Sequence, residues 1–271
     1  MTASSFDSGT ADRTVHNSHG ESGVSLIELT VILAIIGLVS SAGINVMVGI
    51  KDTANKARNA QLIADAQSAL ITFSSTNYRL PCPANPDLIP GNAGYGLEDC
   101  TRDAGMIPHV TLVLDQAALD TSMQPIRYVV YRVADTTLDG DGNQSLDGDL
   151  ATAVNRVDNL GEDGLINIWD FCLALENGNT AFGTGEASIS TLPLSGSGNG
   201  CREAGSFANQ AFVLASSGNR DSSRPADGNL FDGINAAGNT CFSSPDQPWD
   251  TSYDDVIAAS SFTTLLGMLC Q

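Results

Sequence analysis

Gly23-Val24-Ser25-Leu26-Ile27-Glu28-Leu29 opens a run that stays apolar as far as Ile50. From Val24 to Ile50 there is one charged residue, Glu28. About 20 apolar residues in helical form cross a bilayer, so the run is long enough to do so. A carboxylate costs ~2.5–3.5 kcal/mol at the centre of a membrane helix and less towards an end. An acid kept at that cost is expected to have a task, and a cationic partner is the usual way to offset burial of its charge.

Working outward, residues 1–23 are polar and contain no apolar core. An ordinary secretory signal carries its hydrophobic region before the cleavage site, whereas here the apolar segment follows the glycine. Beyond Ile50, residues 51–78 contain neither proline nor glycine. Ala54, Ala57, Ile63, Ala66, Leu70 and Phe73 recur at helical spacing, which predicts an amphipathic continuation of the same helix. Leu80-Pro81-Cys82-Pro83 ends it, because proline disfavours helix at and before its own position. Within the run, Gly37 and Ser41 form a small-residue pair suited to close helix approach. Lys51, Lys56 and Arg58 follow the run, and the positive-inside rule would put that side in the cytoplasm. The cysteines argue for the opposite side.

There are six of them, Cys82, Cys100, Cys172, Cys201, Cys241 and Cys270, with no C-x-x-C pair. His109 is the only histidine beyond the N-terminal segment, so a zinc site has poor material. An even set beyond an anchor reads as disulfides in an oxidising compartment. Of the possible pairings the sequential one is simplest: Cys82–Cys100, Cys172–Cys201 and Cys241–Cys270, each closing a loop worth ~3 kcal/mol. With 12 basic and 31 acidic residues the formal charge is −19, which repels nucleic acid and anionic headgroups. A mean hydropathy of +0.01 and 27 glycines fit a folded, loop-rich head rather than a disordered acidic tail.

Residues 81–108 read as loop. Ile126–Val133, Ala211–Ala215 and Asp254–Ala259 read as strands, and Phe262–Leu269 as a short closing helix. Asp139, Asp141, Asn143, Ser145 and Asp147 place oxygen donors at alternate positions, which is what a loop needs to wrap Ca2+. Gln144 and Leu150 stand where an EF-hand requires glycine and glutamate, so the segment is calcium-like without being an EF-hand; a solvated acidic turn is the competing reading. Asp158, Glu162 and Asp163 read as a solvated face. Catalysis has little to work with: there is no G-x-S-x-G elbow, no Walker loop and no G-x-G-x-x-G. His109 reads as a packed structural residue, Trp169 and Trp249 as core or semi-buried, and Gly196–Gly200 as a loop. The chain is therefore not expected to be an enzyme.

A glycine followed five places later by glutamate, inside an apolar run, resembles the processing site of type IV prepilins and pseudopilins. Arg79-Leu80-Pro81-Cys82-Pro83 and the last two predicted elements resemble stretches of large pilin-like proteins. The resemblance implies a leader, residues 1–23, removed after Gly23 by a prepilin peptidase that methylates Val24. It implies a transmembrane and assembly helix (24–50), an amphipathic continuation (51–80) and a periplasmic or extracellular head (81–271). Glu28 would meet the N-terminal amine of a neighbouring pilin-like subunit. The expected fold is α+β, a long N-terminal helix packed on an antiparallel sheet with disulfide-bridged loops. The expected protein is a minor subunit of a type IV pilus or type II secretion pseudopilus, held in the inner membrane before assembly. The rival is an anchored, calcium-dependent binding protein that does not polymerise. The leader departs from the family in carrying Asp7, Asp12 and Glu21, and Asn45 stands near the place where many pilins have a helix-breaking proline.

Overall fold

A helix of 52 residues with no proline, α1 (Leu26–Asn77), begins the fold. The computed structural model describes residues 25–114, 118–133, 148–154, 156, 165–180, 187–191, 207–218, 230–236, 240–250 and 253–271, with backbone alone at 41–49, 133, 180 and 236. Two compact units divide the chain, Met1–Gly49 and Ile50–Gln271.

In the first unit, every described side chain, 25–40, is exposed. Leu26 is 81% exposed and Leu38 74%. Among the described residues no helix is long and apolar enough to cross a membrane. The expected span 24–50 is described only in part, since Val24 and the side chains of 41–49 lie outside the described set.

In the second unit, α1 buries Asn59, Ile63, Ala66, Leu70 and Ser74, a stripe at steps of four, three, four and four. This corrects the expected stripe, because Ala54 and Ala57 are exposed. Asn59 is buried in their place because its carboxamide is satisfied: Nδ2 donates to the Ser217 carbonyl at 3.0 Å and Oδ1 accepts from the Thr121 N–H at 3.0 Å. Phe73 is half-buried, with the Arg79 guanidinium 5.1 Å from its ring. The helix ends three residues before the expected boundary at residue 80. Tyr78 turns into the left-handed region, φ 54°, and still donates to the Ser74 carbonyl.

The strands in order are β1 (Ala104–Met106), β2 (Arg127–Val130), β3 (Arg132–Val133), β4 (Gly148–Asp149), β5 (Ser188–Ser190), β6 (Phe207–Asn209), β7 (Phe212–Ser216), β8 (Cys241–Phe242) and β9 (Val256–Ser260). The main sheet runs β1-β2-β7-β9, antiparallel throughout, with Tyr128 opposite Leu214 and Leu214 opposite Ala258. All five residues of β7 are buried, so this central strand is an unbroken run rather than an alternation. β3 pairs with β4, and β5 lies between β6 (antiparallel) and β8 (parallel). The strand expected over 126–133 is split at Tyr131. That residue is fully buried, sits edge-on to Phe262 at 4.9 Å, and exchanges backbone bonds with Ala211 and Leu150.

Two further helices close the unit. α2 (Ile168–Thr180), which the sequence reading passed over, starts where Asn167 Oδ1 accepts the Trp169 N–H and Asp170 accepts the N–H groups of Asn167 and Arg156. α3 (Phe262–Leu269) falls where expected, capped by Ser261. Gly178 of α2 lies so close to Phe262 that an added Cβ would sit 2.6 Å from the ring.

Cys82–Cys100 forms a disulfide, with its Cα atoms 5.0 Å apart. The other two expected pairs, Cys172–Cys201 and Cys241–Cys270, are corrected: Cys172 is bonded to Cys270 across 98 residues. Packing of α2 on α3 brings those Cα atoms to 5.9 Å, within disulfide reach, and sequence distance carries no trace of it. Cys241 is also disulfide-bonded, and Cys201 lies outside the described residues. The head is thus α+β, with an antiparallel main sheet and disulfide bridges.

Candidate functional site

The first turn of α1 holds Glu28, exposed among exposed apolar neighbours. Leu26, Ile27, Leu29, Val31, Ile32, Leu33, Ile35, Ile36, Leu38 and Val39 are each at least 45% exposed. These positions cover every side of a helix with 3.6 residues per turn, so no single face seeks a core. Thr30 folds its hydroxyl back onto the Ile27 carbonyl at 2.8 Å, which satisfies the donor within its own helix. Gly23 and Val24 lie outside the described residues. So do Asp139, Asp141, Asn143, Ser145 and Asp147, together with Asp158, Glu162, Asp163 and Gly196–Gly200. The backbone that flanks the acidic loop is described. β3 and β4, on either side of it in sequence, pair with each other, and Arg132 of β3 reaches Asp149 of β4 at 3.3 Å.

Within the head the densest chemistry is a buried knot that the sequence reading did not single out. Asp232, Asp254 and Asp255 are 1%, 6% and 3% exposed, and their carboxylate oxygens lie within 4.8 Å of one another. The turn Gly233–Ala236 and the entry to β9 supply it. Asp255 accepts from the N–H of Asp232 at 2.9 Å, from Asn235 Nδ2 at 2.8 Å and from the N–H of Gly218 at 3.3 Å. Asp232 accepts from the Asp254 N–H at 2.9 Å, and Asn235 Oδ1 from the Ser243 N–H at 2.8 Å. A Cβ at 218 would stand 1.7 Å from Asp254 Oδ1, so any side chain there would displace that carboxylate. Arg127 donates to the Asn235 carbonyl and lies over the Phe231 ring at 4.4 Å.

Burial pushes the pKa of Asp255 up to about 8, against the pull of its hydrogen-bond donors. It pushes the Tyr253 phenol above its ordinary range, with Asp255 adding to the effect. Three carboxylates this close could share a cation. The backbone N–H groups and the Asn235 amide that these carboxylates accept from make the cluster a folding knot that ties β7, β9 and the 232–236 turn together. The signal that could have found it is the doublet Asp254-Asp255 at the start of an apolar strand. Their role in the knot is also why the strand begins at Val256 and not at Asp254.

His109 is buried and edge-on to Tyr95 at 5.1 Å, and a Cβ on Gly96 would lie 2.2 Å from its ring. Burial draws its pKa down, so it packs as a neutral ring. Trp169 is 56% exposed and does not join the core as expected. Trp249 lies beneath Lys56, whose Nζ is 3.8 Å from the ring centre. Comparison with known proteins finds no matching family model, no matching curated protein and no matching solved structure.

Proposed function

We propose that the chain is an assembly subunit of a type IV pilus or type II secretion-like pseudopilus. It is made with a leader that a prepilin peptidase removes after Gly23, and is held in the inner membrane with its head in the periplasm until it joins other subunits. The observation that supports this most is the first part of α1, where ten large apolar side chains are each at least 45% exposed. A helix apolar on all sides is stable only in lipid or among other apolar helices. A pilin-like subunit uses both environments in turn, first lipid and then the filament interior. Glu28 is the one charge in that surface, and pairing it with the amine of Val24 on a neighbour would neutralise two buried charges at once.

Intact mass spectrometry should find residues 1–23 lost and one methyl added to Val24. Glu28→Ala should insert in the membrane normally, leave the melting temperature of the head unchanged, and be absent from sheared filaments. Filaments formed at wild-type yield would remove the role of Glu28, and a retained leader would end the prepilin reading.

The calcium-dependent binding protein is the second reading, and the pairing of β3 with β4, on either side of residues 134–147, favours it. β3–β4 pairing and Arg132–Asp149 hold the two ends of an oxygen-rich loop together, which lowers the ordering cost of wrapping a cation. A ligand bound only to the folded state must raise the melting temperature, so excess chelator should lower it. An unchanged value removes calcium.

A further inference from the structure

The outer face of α1 in the second unit carries an ordered set of charges that nothing above uses. Lys51, Arg58, Asp65 and Thr72 lie seven residues apart and are all exposed, as are Ala54, Gln61, Ser68 and Ser75 between them. Together they make one seam that drifts by about 20° per heptad around the helix, positive at 51 and 58 and negative at 65, with small side chains at 54, 68, 72 and 75. Among the described residues no ion pair involves Lys51, Arg58 or Asp65, and Asp65 accepts only from Gln61 of its own helix. Lys56 belongs elsewhere, over Trp249. At its head end the seam becomes a wall of a groove of about 420 Å³, where Asp65, Ser68 and Thr72 face Leu112 and Val113. Val113 is 88% exposed at φ 53°, a backbone region that β-branched residues rarely adopt.

Resting on the assembly reading above, we infer that this seam docks the same helix of a second copy, staggered so that Asp65 of one copy faces the Lys51–Arg58 band of the next. Copies inserted in one membrane share a direction, so their helices meet in parallel. Placed level, they would set Lys51 on Lys51, Arg58 on Arg58 and Asp65 on Asp65, and each like pair repels. A shift of two heptads, about 21 Å at 1.5 Å per residue, sets Asp65 opposite Lys51 with no like pair, whereas a shift of one would set Arg58 on Lys51. Charge complementarity also identifies the occupant: in a chain with only 12 basic residues, the exposed band at 51–58 suits an acidic partner, and another copy is one.

The test is charge exchange in the full chain, read as the yield of sheared filaments. The pair Lys51→Glu/Arg58→Glu and the single Asp65→Lys should each lower yield about fivefold or more, the scale of an exposed pair turned into a like-charge contact. The triple variant, with both signs exchanged, should recover most of the loss. Head melting should stay at the wild-type value in all three, since every altered side chain is exposed. A triple no better than the single reversals overturns the seam. Loss confined to Lys51→Glu/Arg58→Glu overturns it as well, and assigns the band to lipid headgroups. If the unaltered chain forms no filaments at all, the assembly reading falls and takes the seam with it. Filaments that need Glu28 but ignore the charge exchanges sink the seam alone.

Discussion

The two parts of α1 share backbone geometry and differ in everything that covers it. In Leu26–Val39 the apolar side chains point every way and all are exposed; Leu33 is 59% exposed and Ile36 54%. From Ile50 onward one stripe is buried, with Ile63 at 3% and Leu70 at 0%, and the opposite face is polar. Their polar groups follow the same division. Thr30 bonds back within its own helix, whereas Asn59 reaches a carbonyl 158 residues away. A helix satisfies its own backbone, so what distinguishes the two parts is which surroundings their side chains need. One part finds them in its own fold, and the other leaves its apolar side chains exposed.

That contrast fails if stability is shared evenly along the helix, and the largest effect should show that it is not. Removing the Cys172–Cys270 bridge by Cys172→Ala/Cys270→Ala opens a 98-residue loop, a loss of ~4.7 kcal/mol on the chain-entropy scale. The 18-residue Cys82–Cys100 loop should cost ~3 kcal/mol. In detergent, amide exchange should speed up across 59–74 with the rest of the head and remain unchanged across 26–40. Acceleration in both segments would erase the distinction.

A smaller and more local effect compares equal chemistry at two places. Leu70→Ala should destabilise the head by about 2–5 kcal/mol, because it leaves a cavity in a packed core. Leu33→Ala should leave head unfolding in denaturant unchanged, since Leu33 touches no core. Equal losses would mean that the first part folds onto something within the chain.

How much of this could be read from the sequence follows from the same contrast. Local patterns were legible: the apolar run, the helix ending shortly before Pro81, the central strand at 212–216 and the closing helix at 262–269 each declare themselves within a few neighbours. Partnerships between distant segments were not. Ala54 and Ala57 fit the helical period, but a polar Asn59 took the buried place because Ser217 and Thr121 were waiting for it. Cys172 is far closer in sequence to Cys201 than to Cys270, yet helix packing delivers Cys270. The aspartate knot draws on three separate stretches, the 218 turn, 232–235 and 253–255, and only the Asp254-Asp255 doublet hinted at it.

A pH-dependent effect sharpens the comparison through one acid from each part, exposed Glu28 and clustered, buried Asp255. Asp255 has a folded pKa of about 8, raised by burial above the unfolded value of about 3.9. The folded state therefore binds a proton that the unfolded state has released over that interval. Its contribution is fully present below about pH 4 and is lost as pH rises through about 8. Asp255→Asn keeps the shape and removes the titration. The stability advantage of the wild type over this variant should therefore shrink steadily between pH 5 and pH 8, measured by denaturant unfolding. A constant difference over that range would mean that Asp255 is already ionised in the folded head, with Arg127 and the surrounding N–H groups carrying its charge unaided. Glu28→Gln, which the head does not feel, should show no such pH-dependent difference in the same measurement.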